Sequence, residues 1–209
     1  MDRALKIKIC GMRDADNIMK ISALKPNYLG FVFYPKSPRY AANVNPEVLR
    51  KIPSDIKKIG VFVNESLKNI LTIAYKFNLD GVQLHGAENI EICKELKNTG
   101  LTVIKAFSIF DKSNFLPTKK YEEVCDFFLF DTKVSDAYGG SGVKFDWSLL
   151  NEYKGQTPFF LSGGISPDDA EAILQIKHPQ FFGIDINSKF ETRAGEKNAE
   201  LLKEFLDKL

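Results

Sequence analysis

Residues 57–86 read KKIGVFVNESLKNILTIAYKFNLDGVQLHG, and their periodicity changes twice. KKIGVFV (57–63) is a short run of apolar and aromatic residues with strand character. Ser66 then occupies a capping position before LKNILTIAYKF, whose apolar residues recur at the spacing of one helical face. The chain returns to a strand at DGVQL (80–84). Strand, helix and strand with so little between them read as a parallel crossover, because a parallel pair needs a covering connection that a tight hairpin cannot supply.

The same unit recurs on both sides. Strand-like runs occur at LKIKIC (5–10), YLGFVF (28–33), TVIKAF (102–107), DFFLF (126–130), PFFLS (158–162) and FFGIDI (181–186), which with 57–63 and 80–84 makes eight. Helical patterns lie between and after them, at DADNIMKISALK, NPEVLRKI, ESLKNILTIAYKF, AENIEICKELKNT, FDWSLLNEY, SPDDAEAILQI and GEKNAELLKEFLDKL, with a weaker one around YEEVC. Ser166 and Pro167 suit the start of the seventh. Eight strands alternating with eight helices predict an α/β fold, a (β/α)8 TIM barrel spanning residues 1–209 as one domain. A doubly wound open sheet is the structural alternative, since strand order is invisible in a sequence. No Pro/Gly/Ser linker, charge block or low-complexity segment divides the chain.

Composition narrows the function classes. With 44% hydrophobic content the 209 residues can bury a substantial core. Lys and Arg number 29 against 27 Asp and Glu, a net charge of +2, so no strong field favours nucleic acid or an anionic membrane. Cys10, Cys93 and Cys125 have no short metal spacing and are odd in number, which argues against a disulfide framework. His85 and His178 are too few for a histidine-based zinc site. The start MDRALKIK has no signal-peptide apolar stretch, and no run approaches the roughly 18 apolar residues that span a bilayer. The expected location is cytoplasmic. Monomer and homodimer are both compatible with the sequence.

In a barrel, functional groups lie at the carboxyl ends of strands. That filter gathers Cys10 after the first strand, Lys36 and Arg39 after the second, Gln83 and His85 at the fourth, and Asp131 after the sixth. Gly163 and Gly164 in SGGIS follow the seventh strand, and Asp185, Asn187 and Ser188 end the eighth. Paired glycines before a helix let backbone N–H groups approach an anion, and the site after strands seven and eight is where barrels often hold phosphate; a plain tight turn is the other reading. Cys10 is either a small packing residue or a reactive group at the mouth of a site. The Tyr138–Lys144 segment, within YGGSGVKFDW, matches neither a dinucleotide fingerprint nor a phosphate loop and reads as a lid or a connection.

Taken together and in order, KICGMR, GFVFYPKSPRY, GVFVN, GVQLHG, LFDT, GGSGVKFDW, LSGGISPDD and GIDINSKFE resemble the phosphoribosylanthranilate isomerase family of tryptophan biosynthesis over nearly the whole chain. The resemblance implies an Amadori rearrangement of a phosphorylated aminoaldose by two proton-transfer groups, with no metal and no redox cofactor. It implies Asp131 as general acid, Cys10 as general base and Arg39 as the fork that grips a substrate carboxylate. Backbone around Gly163 and Gly164, with Asn187 and Ser188, is implied to hold the phosphate; Gln83, His85 and Asp185 are placed near the substrate. Arg13 or Lys8 is a candidate to stabilise the Cys10 thiolate, although strand alternation leaves Lys8 facing away. Lys189 departs from the family pattern, which has a small residue there, and its role is open. Trp147 reads as a packing anchor.

Overall fold

The protein is described by a computed structural model covering residues 5–132 and 145–209; the Tyr138–Lys144 segment lies outside the described residues. The strands are β1 (Lys6–Ile9), β2 (Tyr28–Val32), β3 (Lys57–Phe62), β4 (Gly81–Leu84), β5 (Thr102–Ile109), β6 (Phe127–Thr132), β7 (Phe159–Leu161) and β8 (Phe181–Ile186), and they form a closed parallel barrel in sequence order. The open doubly wound sheet is thereby ruled out. Closure pairs β1 with β8, and the register sets Lys8 opposite Asp185.

The helices are α1 (Ala15–Ser22), α2 (Pro46–Arg50), α3 (Leu67–Phe77), α4 (Ile90–Asn98), α5 (Ala170–Leu174) and α6 (Ala199–Leu206), and all but α5 carry a side-chain cap. Asp14, Asn45, Ser66, Asn89 and Asn198 each accept a hydrogen bond from a first-turn N–H, satisfying groups a helix start leaves open. The fifth and sixth crossovers differ from expectation. Instead of α-helices, their described residues form 3-10 segments, Lys112–Tyr121 and Trp147–Glu152. Pro117 inside the first removes a backbone donor, and YEEVC forms only a turn at its end. The last helical pattern also starts later than GEKN suggests. Glu191–Arg193 (β9) and Glu196–Lys197 (β10) pair as a small antiparallel hairpin, and Asn198 caps α6 after it.

Two layers share the packing. Ile9, Phe31, Phe62, Val82 and Phe128 point outward against helical Ile18, Leu49, Ile70, Phe77 and Leu96. Ile59, Ile104, Leu129 and Phe160 fill the barrel interior, with Tyr28, Phe127 and Phe182 packed against them. On β1 the apolar residue Ile9 faces the helices and the alternate position faces the barrel interior. That reverses the expectation for Lys8, which points into the barrel and is completely buried.

Candidate active site

A cavity of about 370 Å³ opens at the carboxyl ends of the strands. Cys10, Arg39, Gln83, His85, Asp131, Gly163, Gly164, Asp185, Asn187 and Ser188 all contribute to its wall. Lys189 is exposed and is not part of it.

Cys10 follows β1 on the same side as Lys8 and is nearly buried. Gly30 on β2 makes the room: a Cβ there would lie 2.7 Å from the Cys10 Sγ. Lys8 Nζ donates to Asp185 Oδ2 at 2.9 Å, a pairing that follows from the β1–β8 register. Burial opposes the Lys8 charge, but Asp185 and Cys10 outweigh it, and its pKa rises. Burial pushes the Cys10 thiol up as well, while the ammonium groups of Lys8 and Lys197 pull it the other way. Burial outweighs the two cations, so the Cys10 pKa lies above its ordinary value. Arg13 is not one of them, since it is exposed and donates to the Pro38 carbonyl.

Across the mouth, Asp131 is the penultimate residue of β6. Its Oδ1 accepts from the Thr132 N–H at 2.8 Å, and its Oδ2 lies 3.3 Å from His85 Nε2. Gln83 Nε2 is 2.9 Å from His85 Nδ1, so with the amide so oriented the histidine proton sits on Nε2, directed at Asp131. Among the described residues, Gln83 Oε1 and Asp185 Oδ1 are buried without a partner. The β4 loop carrying His85 is held by buried Glu88, which accepts from the N–H groups of Asn64 and Gly86 and lies 3.3 Å from Lys105 Nζ.

Gly163 and Gly164 have φ of +89° and +69°, and their N–H groups bond no group among the described residues. A Cβ on Gly163 would meet Thr132 Oγ1 at 2.3 Å, so both space and conformation demand glycine. The helix expected behind them is a 3-10 turn, Pro167–Asp169, followed by one turn of α5, with Asp169 accepting from the Ser166 N–H. What this turn offers an anion is therefore its loop amides rather than a long helix dipole.

Arg39 gives the largest departure from expectation. Its Nε and Nη2 donate to Glu191 at 2.9 and 2.6 Å, so one edge of the fork is already occupied by a carboxylate of the chain itself. Glu191 and Lys197, from the hairpin after β8, and Lys8 are the residues that sequence reasoning missed or misplaced. Glu191 ends the quoted motif GIDINSKFE, but nothing in its spacing identifies a partner 152 positions away.

The family described as N-(5'phosphoribosyl)anthranilate (PRA) isomerase matches residues 7–208. The chain belongs to this family. An N-(5'-phosphoribosyl)anthranilate isomerase of Phocaeicola vulgatus is 48% identical over 203 residues, covering 97% of each chain. The phosphoribosyl anthranilate isomerase structure from Thermotoga maritima superposes with a TM-score of 0.83 at 32% identity over 98% of each chain. Another isomerase structure, 31% identical with a TM-score of 0.80 over 98% of each chain, holds reduced 1-(o-carboxyphenylamino)-1-deoxyribulose 5-phosphate.

Proposed function

We infer that the cavity binds N-(5'-phosphoribosyl)anthranilate and rearranges it to 1-(2-carboxyphenylamino)-1-deoxyribulose 5-phosphate, an aldose–ketose isomerisation in tryptophan biosynthesis. The chain is an isomerase of this family. The observation that carries the assignment of roles is the placement of two unlike proton-transfer groups, Cys10 and Asp131, on one cavity with the amides of Gly163 and Gly164, which bond no group among the described residues.

Asp131 acts first, protonating the ribose ring oxygen so that the ring opens to a Schiff base. The carboxylate left behind faces the His85 Nε2 proton. Cys10 then removes the C2′ proton, and the enolamine tautomerises to the ketone. The base needs the thiolate, whose formation Lys8 and Lys197 favour and burial opposes. The phosphate seats on the Gly163 and Gly164 amides beside Ser188, and Arg39 Nη1, which Glu191 does not engage, is left for the anthranilate carboxylate. Each proton transfer is worth roughly a hundred- to ten-thousandfold in rate.

The test follows the fall in anthranilate-type fluorescence after purified protein meets freshly generated substrate, in wild type, Cys10→Ala and Asp131→Asn. Both variants are expected to lose at least about a hundredfold in kcat while still binding product. Variants that turn over as fast as wild type would refute the two roles.

A further inference from the structure

A guanidinium whose fork already holds a carboxylate is either blocked or deliberately aimed, and the surroundings of Glu191 decide which. Its Oε1 accepts from three groups: Arg39 Nε, Lys197 Nζ at 2.6 Å and the Gly195 N–H at 3.0 Å. Its side chain is 5% exposed. A carboxylate anchored by three donors cannot swing aside when a ligand arrives. Despite burial, Arg39 and Lys197 hold its pKa below the usual range, so it stays ionised.

Lys197 is anchored in turn. Its backbone N–H donates to Asn17 Oδ1 at 2.8 Å and its carbonyl accepts from Asn17 Nδ2 at 2.8 Å, which fixes the hairpin to α1. Its Nζ also donates to Asn187 Oδ1 at 2.7 Å. A continuous polar chain thus runs from Arg39 through Glu191 and Lys197 to Asn187 on the loop after β8. Burial lowers the Lys197 pKa while Glu191 opposes that. Two cations share one carboxylate in a site shielded from solvent, which leaves one positive charge over. A second carboxylate, brought by the substrate, is the group that would neutralise it.

We propose that Glu191 and Lys197 are positioning residues of the carboxylate subsite: Glu191 fixes the Arg39 guanidinium so that Nη1 is presented to the substrate, and Lys197 ties that subsite to the loop of Asn187. The proposal rests on the reading of Arg39 given above. A side chain held before the ligand arrives loses less conformational freedom on binding, so the pair acts through preorganisation rather than contact.

The experiment measures binding of three probes by calorimetry: the carboxyphenylamino-deoxyribulose phosphate product, its phenylamino counterpart lacking the carboxyl group, and inorganic phosphate. Wild type should prefer the carboxylated ligand by about ten- to a hundredfold, as a charge-assisted hydrogen bond allows. In Glu191→Gln that preference should fall to within about threefold, KM should rise with kcat little changed, and phosphate affinity should hold. Lys197→Met should lower both the preference and phosphate affinity, since it releases Asn187 as well. A preference that survives or grows in Glu191→Gln overturns the proposal, marking Glu191 as a bystander or a competitor. If Glu191→Gln does not fold, Glu191→Asp serves instead: it keeps the charge but draws it back one methylene. It should lose several-fold of the preference, and no loss overturns the proposal equally. Arg39→Ala separates the two ideas, because a preference retained there refutes the carboxylate reading itself, whatever Glu191 does.

Discussion

Where β1 meets β8, Lys8 and Asp185 form a buried pair on the same face as Cys10, and removing one member tests what the pair does. Lys8→Met alone leaves a buried carboxylate unpaired, which is expected to cost about 3–5 kcal/mol. Lys8→Met with Asp185→Leu removes both charges and should fold more stably than the single variant. In that double variant Cys10 loses its nearest cation, so the pH profile of its alkylation by iodoacetamide should move to more alkaline pH than in wild type. Asp185 acts on the thiol in the opposite sense and more weakly, so an unmoved profile would show that the pair as a whole leaves the thiol unaffected. The sign of the pH effect on stability follows from the same groups. Cys10 and Lys8 both lie above their ordinary values of 9.0 and 10.5 in the folded protein. The native state therefore holds these protons more tightly than the unfolded chain, and that stability is fully present below about pH 9 and lost as pH rises through the folded values. Urea midpoints at pH 7, 9 and 10 should fall in that order.

At the scale of elements, two polar groups of similar appearance are expected to differ several-fold in importance. Ser66 caps α3 by accepting from the Asn69 N–H at 3.3 Å in an exposed setting, so Ser66→Ala should cost no more than about 1 kcal/mol. Glu88 is 3% exposed, holds the β3 and β4 loops and faces the buried Lys105 ammonium, so Glu88→Ala should cost at least about 3 kcal/mol. Chemical denaturation of the two variants side by side checks the ordering, and equal losses would contradict it. The difference is legible only in three dimensions, and the same holds for most of what the sequence left obscure. Runs such as KKIGVFV and DGVQL are strands because period-two patterning and turn residues are local properties, and their observed ends lie within two residues of those read from the sequence. The Lys112–Tyr121 segment carries no strong apolar period, so its 3-10 form had no local signal. The hairpin of Glu191–Arg193 and Glu196–Lys197 is short and polar, and is fixed by Asn17 from the other end of the chain. The candidate site residues were gathered by one topological rule, that the ends of barrel strands share a face. Their partners were not, because Lys8 with Asp185 and Arg39 with Glu191 depend on barrel closure.

Across the whole molecule the barrel interior divides into an apolar base and a polar mouth. Phe160 lies at the base, fully buried, with ring centroids 5.4 Å from Tyr28, 5.6 Å from Phe127 and 5.2 Å from Phe182. The mouth instead holds Lys8, Asp185, Cys10, Gln83 and Asp131, fixed by ion pairs and by the backbone ladders. If stability resides mainly in the first and chemistry in the second, as barrel architecture permits, they should respond separately to mutation. Phe160→Ala opens a cavity among aromatic rings and is expected to cost about 3–5 kcal/mol. A domain of this kind has about 5–15 kcal/mol to lose, so most molecules should remain folded at 25 °C. The ladder bonds of β7 to β6 and β8 do not involve the ring, so the amides of Gly163 and Gly164 should keep their place. The melting temperature should therefore drop by several degrees while kcat/KM per folded molecule stays within about threefold of wild type. A variant that melts normally but turns over poorly would mean that the base positions the site as well as supporting it.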